Sequence, residues 1–102
     1  MSVVVVATIT PKADQVEAVR EAILAAVPKV HAEPGCELYA VHEGGDSFVM
    51  VERWESLEAL KTHGSAEALT TLGGQLAGKL EAAPDVRRLT GLPAGDPVKG
   101  AI

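Results

Sequence analysis

The stretch Phe48-Val-Met-Val-Glu-Arg-Trp-Glu-Ser-Leu-Glu-Ala-Leu-Lys-Thr-His63 changes its period partway along, and that change decides the fold. Bulky apolar residues from Phe48 to Val51, then alternation through Glu52, Arg53 and Trp54, predict a strand. Ser56 is a good N-cap, and Leu57, Leu60 and Lys61 follow at helical spacing, so a helix comes next. The single tryptophan of the chain ends the strand, and one of its three histidines, His63, rides on the helix. An N–H donor and a titratable base carried by two rigid elements are the raw material of a small-molecule site.

Working outward, residues 36–43 read as a strand, and Gly44-Gly45-Asp46 supplies the turn chemistry of an antiparallel hairpin. Its register stays open by one residue, which decides which side chains share a face. Upstream, the β-branched run of residues 3–9 is a buried strand ended by Thr10-Pro11. Asp14 and Glu17 have capping-box spacing, and Val16, Val19, Ile23, Val27 and Val30 mark one helix face. Pro28 lies inside that pattern and predicts a kink or break; Glu33-Pro34-Gly35 closes the segment. Downstream, Ser65 is placed to cap a helix with the stripe Leu69, Leu72, Leu76 and Leu80. Gly73 and Gly74 weaken it by about 1 kcal/mol each, and Pro84 stops it. Residues 85–90 complete a β-α-β-β-α-β order with one short extra helix. That order is an α+β, ferredoxin-like split βαβ with an antiparallel sheet, helices on one face and an open face that a second copy would cover. Residues 1–92 form the domain and 93–102 an irregular tail.

The formal charge of −5, from nine basic and fourteen acidic residues, argues against nucleic acid or an anionic membrane as partner. Arg87-Arg88 is an adjacent basic pair whose side chains face opposite ways on a strand, so it is not a patch. A single cysteine, Cys36, forbids an intrachain disulfide and suits a reducing cytoplasm. The run Val3 to Ala7 is too short for a membrane span and lacks the basic flank of a signal peptide, so a cytoplasmic location is expected. Gly73 to Lys79 has phosphate-loop spacing, but Leu80 stands where magnesium needs a hydroxyl. The histidines show no zinc-ligand pairing.

At Glu33-Pro34-Gly35-Cys36, Leu38-Tyr39, Glu52-Arg53-Trp54-Glu55, Glu58-Ala59-Leu60 and His63, the chain resembles the antibiotic biosynthesis monooxygenase family over residues 3–90. The resemblance implies a dimeric ferredoxin-like α+β barrel with a pocket between sheet and helices. It also implies oxidation of polycyclic phenols or quinols by molecular oxygen without metal, flavin or haem. The family also includes haem-degrading enzymes and an isomerase of a phosphorylated sugar, so membership fixes fold better than reaction. The chain contains no asparagine, the residue that haem-degrading and some quinol-oxidising members use.

Oxygenation without a cofactor needs a base of near-neutral pKa, a fixed donor for the developing anion and a dry pocket. His63 and Trp54 are the catalytic candidates, as base and N–H donor; their plainer readings are a helix-end histidine and a core tryptophan. Tyr39, His42 and Glu52 are the substrate-binding candidates. His42 qualifies only if the register puts it on the face of Trp54, and Glu52 shares that face by strand alternation. Cys36 reads as a small buried hydrophobe. The chain thus reads as a cofactor-independent monooxygenase of a small quinol or phenol, its partners an apolar or aromatic substrate, oxygen and a second copy. The alternatives are a non-catalytic dimeric binding module, or an isomerase, which the scarcity of basic residues near the pocket disfavours.

Overall fold

The structure, a computed structural model, describes residues 2–102. Four strands, β1 (Val3–Ile9), β2 (Cys36–Gly44), β3 (Ser47–Trp54) and β4 (Asp85–Leu89), form one antiparallel sheet in the order β2-β3-β1-β4. The helices are α1 (Val16–His31), α2 (Leu57–Gly64) and α3 (Glu67–Leu76). The predicted ferredoxin-like α+β order and the short extra helix are both present.

Strand alternation sorts the sheet into two faces. Val5, Ala7 and Ile9 of β1 and Phe48, Met50, Glu52 and Trp54 of β3 are buried on one face. Val19, Ile23, Ala26 and Val30 of α1 and Ala68, Leu72 and Leu76 of α3 complete that core. Each fully buried aliphatic side chain, such as Ile23, contributes about 1.5–3 kcal/mol relative to exposure. The opposite face carries Val4, Val6, Val49 and Val51, all half-buried with no helix above them.

The β2–β3 hairpin turns at Gly45-Asp46, where Gly45 takes φ +63° at the first turn position. A bulge sets the register: Cys36 stands opposite Trp54 and Leu38 opposite Arg53, which makes Glu37 an extra residue. Past the bulge, Tyr39 pairs with Glu52 and faces inward, while His42 pairs with Val49 and is exposed on the other face. Gly35, at φ +82°, joins α1 to this strand. A Cβ there would lie 2.6 Å from the Ala59 Cβ, and its carbonyl accepts the Glu55 N–H at 2.8 Å. The Glu33-Pro34-Gly35 turn is thereby pinned to the start of α2.

Ser56 caps α2 as predicted, accepting the Ala59 N–H at 3.1 Å. Other local expectations are corrected. Of the kink or break expected at Pro28, the break is absent: helix α1 continues to His31, because Pro28 and Leu24 (53% exposed) lie on the solvent face, where a carbonyl that loses its N–H partner can turn to water. No side chain caps α1; Glu17 instead pairs with Arg20. Ser65 closes α2 rather than opening α3, and its hydroxyl donates back to the Thr62 carbonyl. Leu80 lies beyond α3, bridged to Pro11. After Leu89 no helix or strand follows, and the Asp96 carboxylate accepts the N–H groups of Val98 and Lys99. Among the described residues no helix is long and apolar enough to cross a membrane.

Candidate functional site

A cavity of about 610 Å³ lies between the inner face of the sheet, α2 and α3. Val5, Ala7 and Met50 floor it, and Leu72 and Leu76 wall it. Its polar groups are few: Tyr39, Glu52 and His63 at one end and Arg88 near the rim. An apolar cavity with a small set of convergent polar groups is the usual form of a small-molecule site.

Three elements converge at the polar end. Strand β3 brings Glu52 and Trp54, α2 brings His63 on its last turn, and the pinned turn after α1 brings Glu33. His63 is 4% exposed, and its Nδ1 lies 2.8 Å from Glu33 Oε1. Nε2 lies 3.9 Å from Glu52 Oε1, too long for a direct hydrogen bond. The imidazole stacks on the Trp54 indole with centroids 4.4 Å apart at 30°, and meets the edge of Tyr39 at 5.8 Å. Trp54 Nε1 donates to Glu52 Oε1 at 2.9 Å. Glu33 Oε2 is buried without a hydrogen-bond partner.

Burial is the main force on acidity here. It raises the Glu52 carboxyl above the usual range, and Glu33 nearby adds to that, against the Trp54 hydrogen bond and the charge attraction of His63. The Tyr39 phenol is pushed well up, by burial first and then by Glu52 and Glu33, so it stays neutral at ordinary pH. Burial first, then Glu33 and Glu52, raise the Cys36 thiol, which makes it a poor nucleophile.

His63, Glu52 and Tyr39 all line one cavity, Glu52 on the face that strand alternation gave it. Two candidates do not join them. His42 is on the other side of the sheet, because its pairing with Val49 gives it the opposite parity to Trp54. Trp54 is 0% exposed and does not line the cavity; its N–H goes to Glu52 and is not available to a ligand. Two residues escaped sequence reasoning. Glu33 had a signal, since an acid just past a helix C-terminus is disfavoured by the helix dipole and calls for a partner. Arg88 had another, since it shares a strand face with Val86 and so lies on the cavity side. Arg88 adds a single guanidinium-bearing residue to a lining otherwise short of basic groups.

A ferredoxin-like sheet with helices on one face, enclosing an apolar cavity with one polar corner, places the chain in the ferredoxin-like class of small α+β folds. The profile of the antibiotic biosynthesis monooxygenase family matches residues 2–72, and the chain belongs to that family. Its fold is similar to that of Rv0793 from Mycobacterium tuberculosis, with 28% identity, a TM-score of 0.87, and coverage of 94% of this chain and 100% of that one. PA3566 from Pseudomonas aeruginosa is also similar, at 26% identity and TM-score 0.83, covering 89% of this chain and 94% of that one. No curated protein matches the chain.

Proposed function

We propose that this protein is a cofactor-independent monooxygenase that oxidises a small phenol or quinol with molecular oxygen. The observation that carries the reading is the His63 imidazole, held by Glu33 on Nδ1 with Nε2 turned toward Glu52 at the edge of an apolar cavity. With Glu33 as a carboxylate, Nδ1 carries the proton and donates it, leaving the Nε2 lone pair as the acceptor. The substrate O–H then breaks, its proton moves to Nε2, and the electron pair stays on the phenolic oxygen. An electron-rich ring carbon that bears hydrogen, para to that oxygen in a phenol or ortho to it in a quinol, bonds to one atom of molecular oxygen. Cleavage of the O–O bond releases the other atom as water, carrying away the two hydrogens of the phenolic O–H and the ring C–H and leaving a quinone. Leu72, Leu76 and Met50 keep bulk water from the anion.

The same reading includes a second copy of the chain over the open sheet face, where Val4, Val6, Val49 and Val51 are left half-buried. Sedimentation of the pure protein tests that part: a dimer is the expected species, and a monomer across the accessible concentration range would remove it. The activity is tested by oxygen uptake with a panel of naphthols and quinols. Equal consumption of oxygen and appearance of quinone are expected, lost under nitrogen and in His63→Gln. No oxygen-dependent turnover above the protein-free blank with any substrate would sink the reading.

A further inference from the structure

We propose that Glu52 serves this cavity as a neutral carboxylic acid that donates its O–H to the substrate oxyanion, with Trp54 as the residue that positions it. The proposal deepens the phenol-oxidising reading and rests on it for the identity of the anion. Its starting point is the lost donor. The indole N–H is spent on Glu52 Oε1 at 2.9 Å, and the indole itself is sealed from the cavity. Glu52 does line the cavity. With Oε1 fixed by the indole, the second carboxyl oxygen is the atom left to address a ligand.

A charge count points the same way. Glu33 from the α1–β2 turn and Glu52 from β3 flank a single imidazole from α2. The other titratable groups facing it are the Tyr39 phenol and the Cys36 thiol of β2, with the Arg88 guanidinium of β4 out at the rim. If both carboxyls were ionised, a neutral imidazole ready to accept a proton would sit between two negative charges in an apolar enclosure. Moving the substrate proton to the imidazole would then leave three anions, two carboxylates and a phenolate, around one imidazolium, which burial makes costly. Protonating one carboxyl removes the conflict. Glu33 engages the imidazole at hydrogen-bond distance, whereas Glu52 approaches it only to 3.9 Å, so Glu52 is the one that keeps a proton. The direction of its acidity, raised chiefly by burial, agrees. A carboxylic acid held neutral at ordinary pH is a stronger donor than an indole, and stabilises an oxyanion without supplying a cation. No transfer from Glu52 is needed: the substrate proton goes to His63 Nε2, and the Glu52 proton is shared but retained.

Infrared difference spectra of wild type minus Glu52→Gln at about pH 7 test the protonation state without requiring turnover. A carboxylic C=O band that shifts in D2O is expected, and carboxylate bands alone would overturn the proposal, whatever oxygen uptake shows about the reaction. Turnover tests the donor role. Glu52→Gln still offers an N–H and should stay within about tenfold of wild type, while Glu52→Ala should lose about a hundredfold or more. Equal loss in both variants would refute donation. Trp54→Phe keeps the ring stacked on His63 but removes the hydrogen bond that favours ionised Glu52. The alkaline limb of the rate profile should then move to higher pH; an unmoved limb would show that Trp54 is structural only.

Discussion

At one end of the cavity Trp54 and His63 are 0% and 4% exposed, and Glu33, His63, Glu52 and Trp54 are neighbours in one buried row. At the other end β4 is exposed along its whole length, Val86 is 62% exposed, and α3 carries Gly73 in the cavity wall with nothing within 4 Å of an added Cβ. The two ends are held differently. The polar corner is fixed by three elements whose contacts are long in sequence, Glu33 to His63 spanning 30 residues. The far wall is an edge strand with one hydrogen-bonded neighbour and a helix weakened by paired glycines. In the proposed reaction precision is needed where a proton moves and room where a substrate enters, and the two ends differ in that sense.

The largest test of this contrast is the proposed base. His63→Gln should lower turnover by about 10²–10⁴-fold, read as kcat, while the far wall stays intact by amide exchange. Next is the pin beneath it. Gly35→Ala meets both a φ of +82° and the Ala59 Cβ, and should cost about 3 kcal/mol in urea unfolding. A loss under about 1 kcal/mol would mean that the corner is far softer than its contacts imply. The third test is a slope. The Glu52 carboxyl is raised above the value of 4.5 for a free glutamate, so the native state holds this proton to a higher pH than the unfolded chain. The stability from this group is whole below about 4.5 and is lost as pH rises through the folded value. Glu52→Gln should therefore gain stability relative to wild type as pH rises, with the difference vanishing in acid; a flat difference would show that Glu52 is not strained by ionisation. The smallest effect has the opposite sign to Gly35→Ala. Gly73→Ala should stabilise by up to about 1 kcal/mol, since α3 gains helix propensity and the new methyl meets no atom.

The hairpin, the Ser56 cap and the order of elements could be read from sequence because local chemistry dictates them: Gly45 at a turn, a hydroxyl before an apolar period. That Glu52 shares the face of Trp54 was legible from alternation, but the arrival of His63 beside them was not, because it depends on how α2 packs on the sheet. The facing of Tyr39 and His42 was not, because a single bulged residue sets it and bulges leave no periodic trace. The fate of the Trp54 N–H was hidden for another reason. Alternation places Glu52 and Trp54 on one face, but whether two such neighbours bond to each other or to a ligand depends on rotamers that packing selects.

The bulge has a further consequence, at the level of the gene. Glu37 is the residue that β3 does not count, and its carboxylate points outward to Ser2 and Arg53. Loss of codon 37 would leave Cys36 and Tyr39 facing inward on an ordinary, unbulged strand. Loss of a codon just past it, between Leu38 and His42, would put the rest of β2 out of phase and exchange its inward and outward side chains. Within β2, position 37 is where the reading can shorten by one residue and the cavity keep its lining.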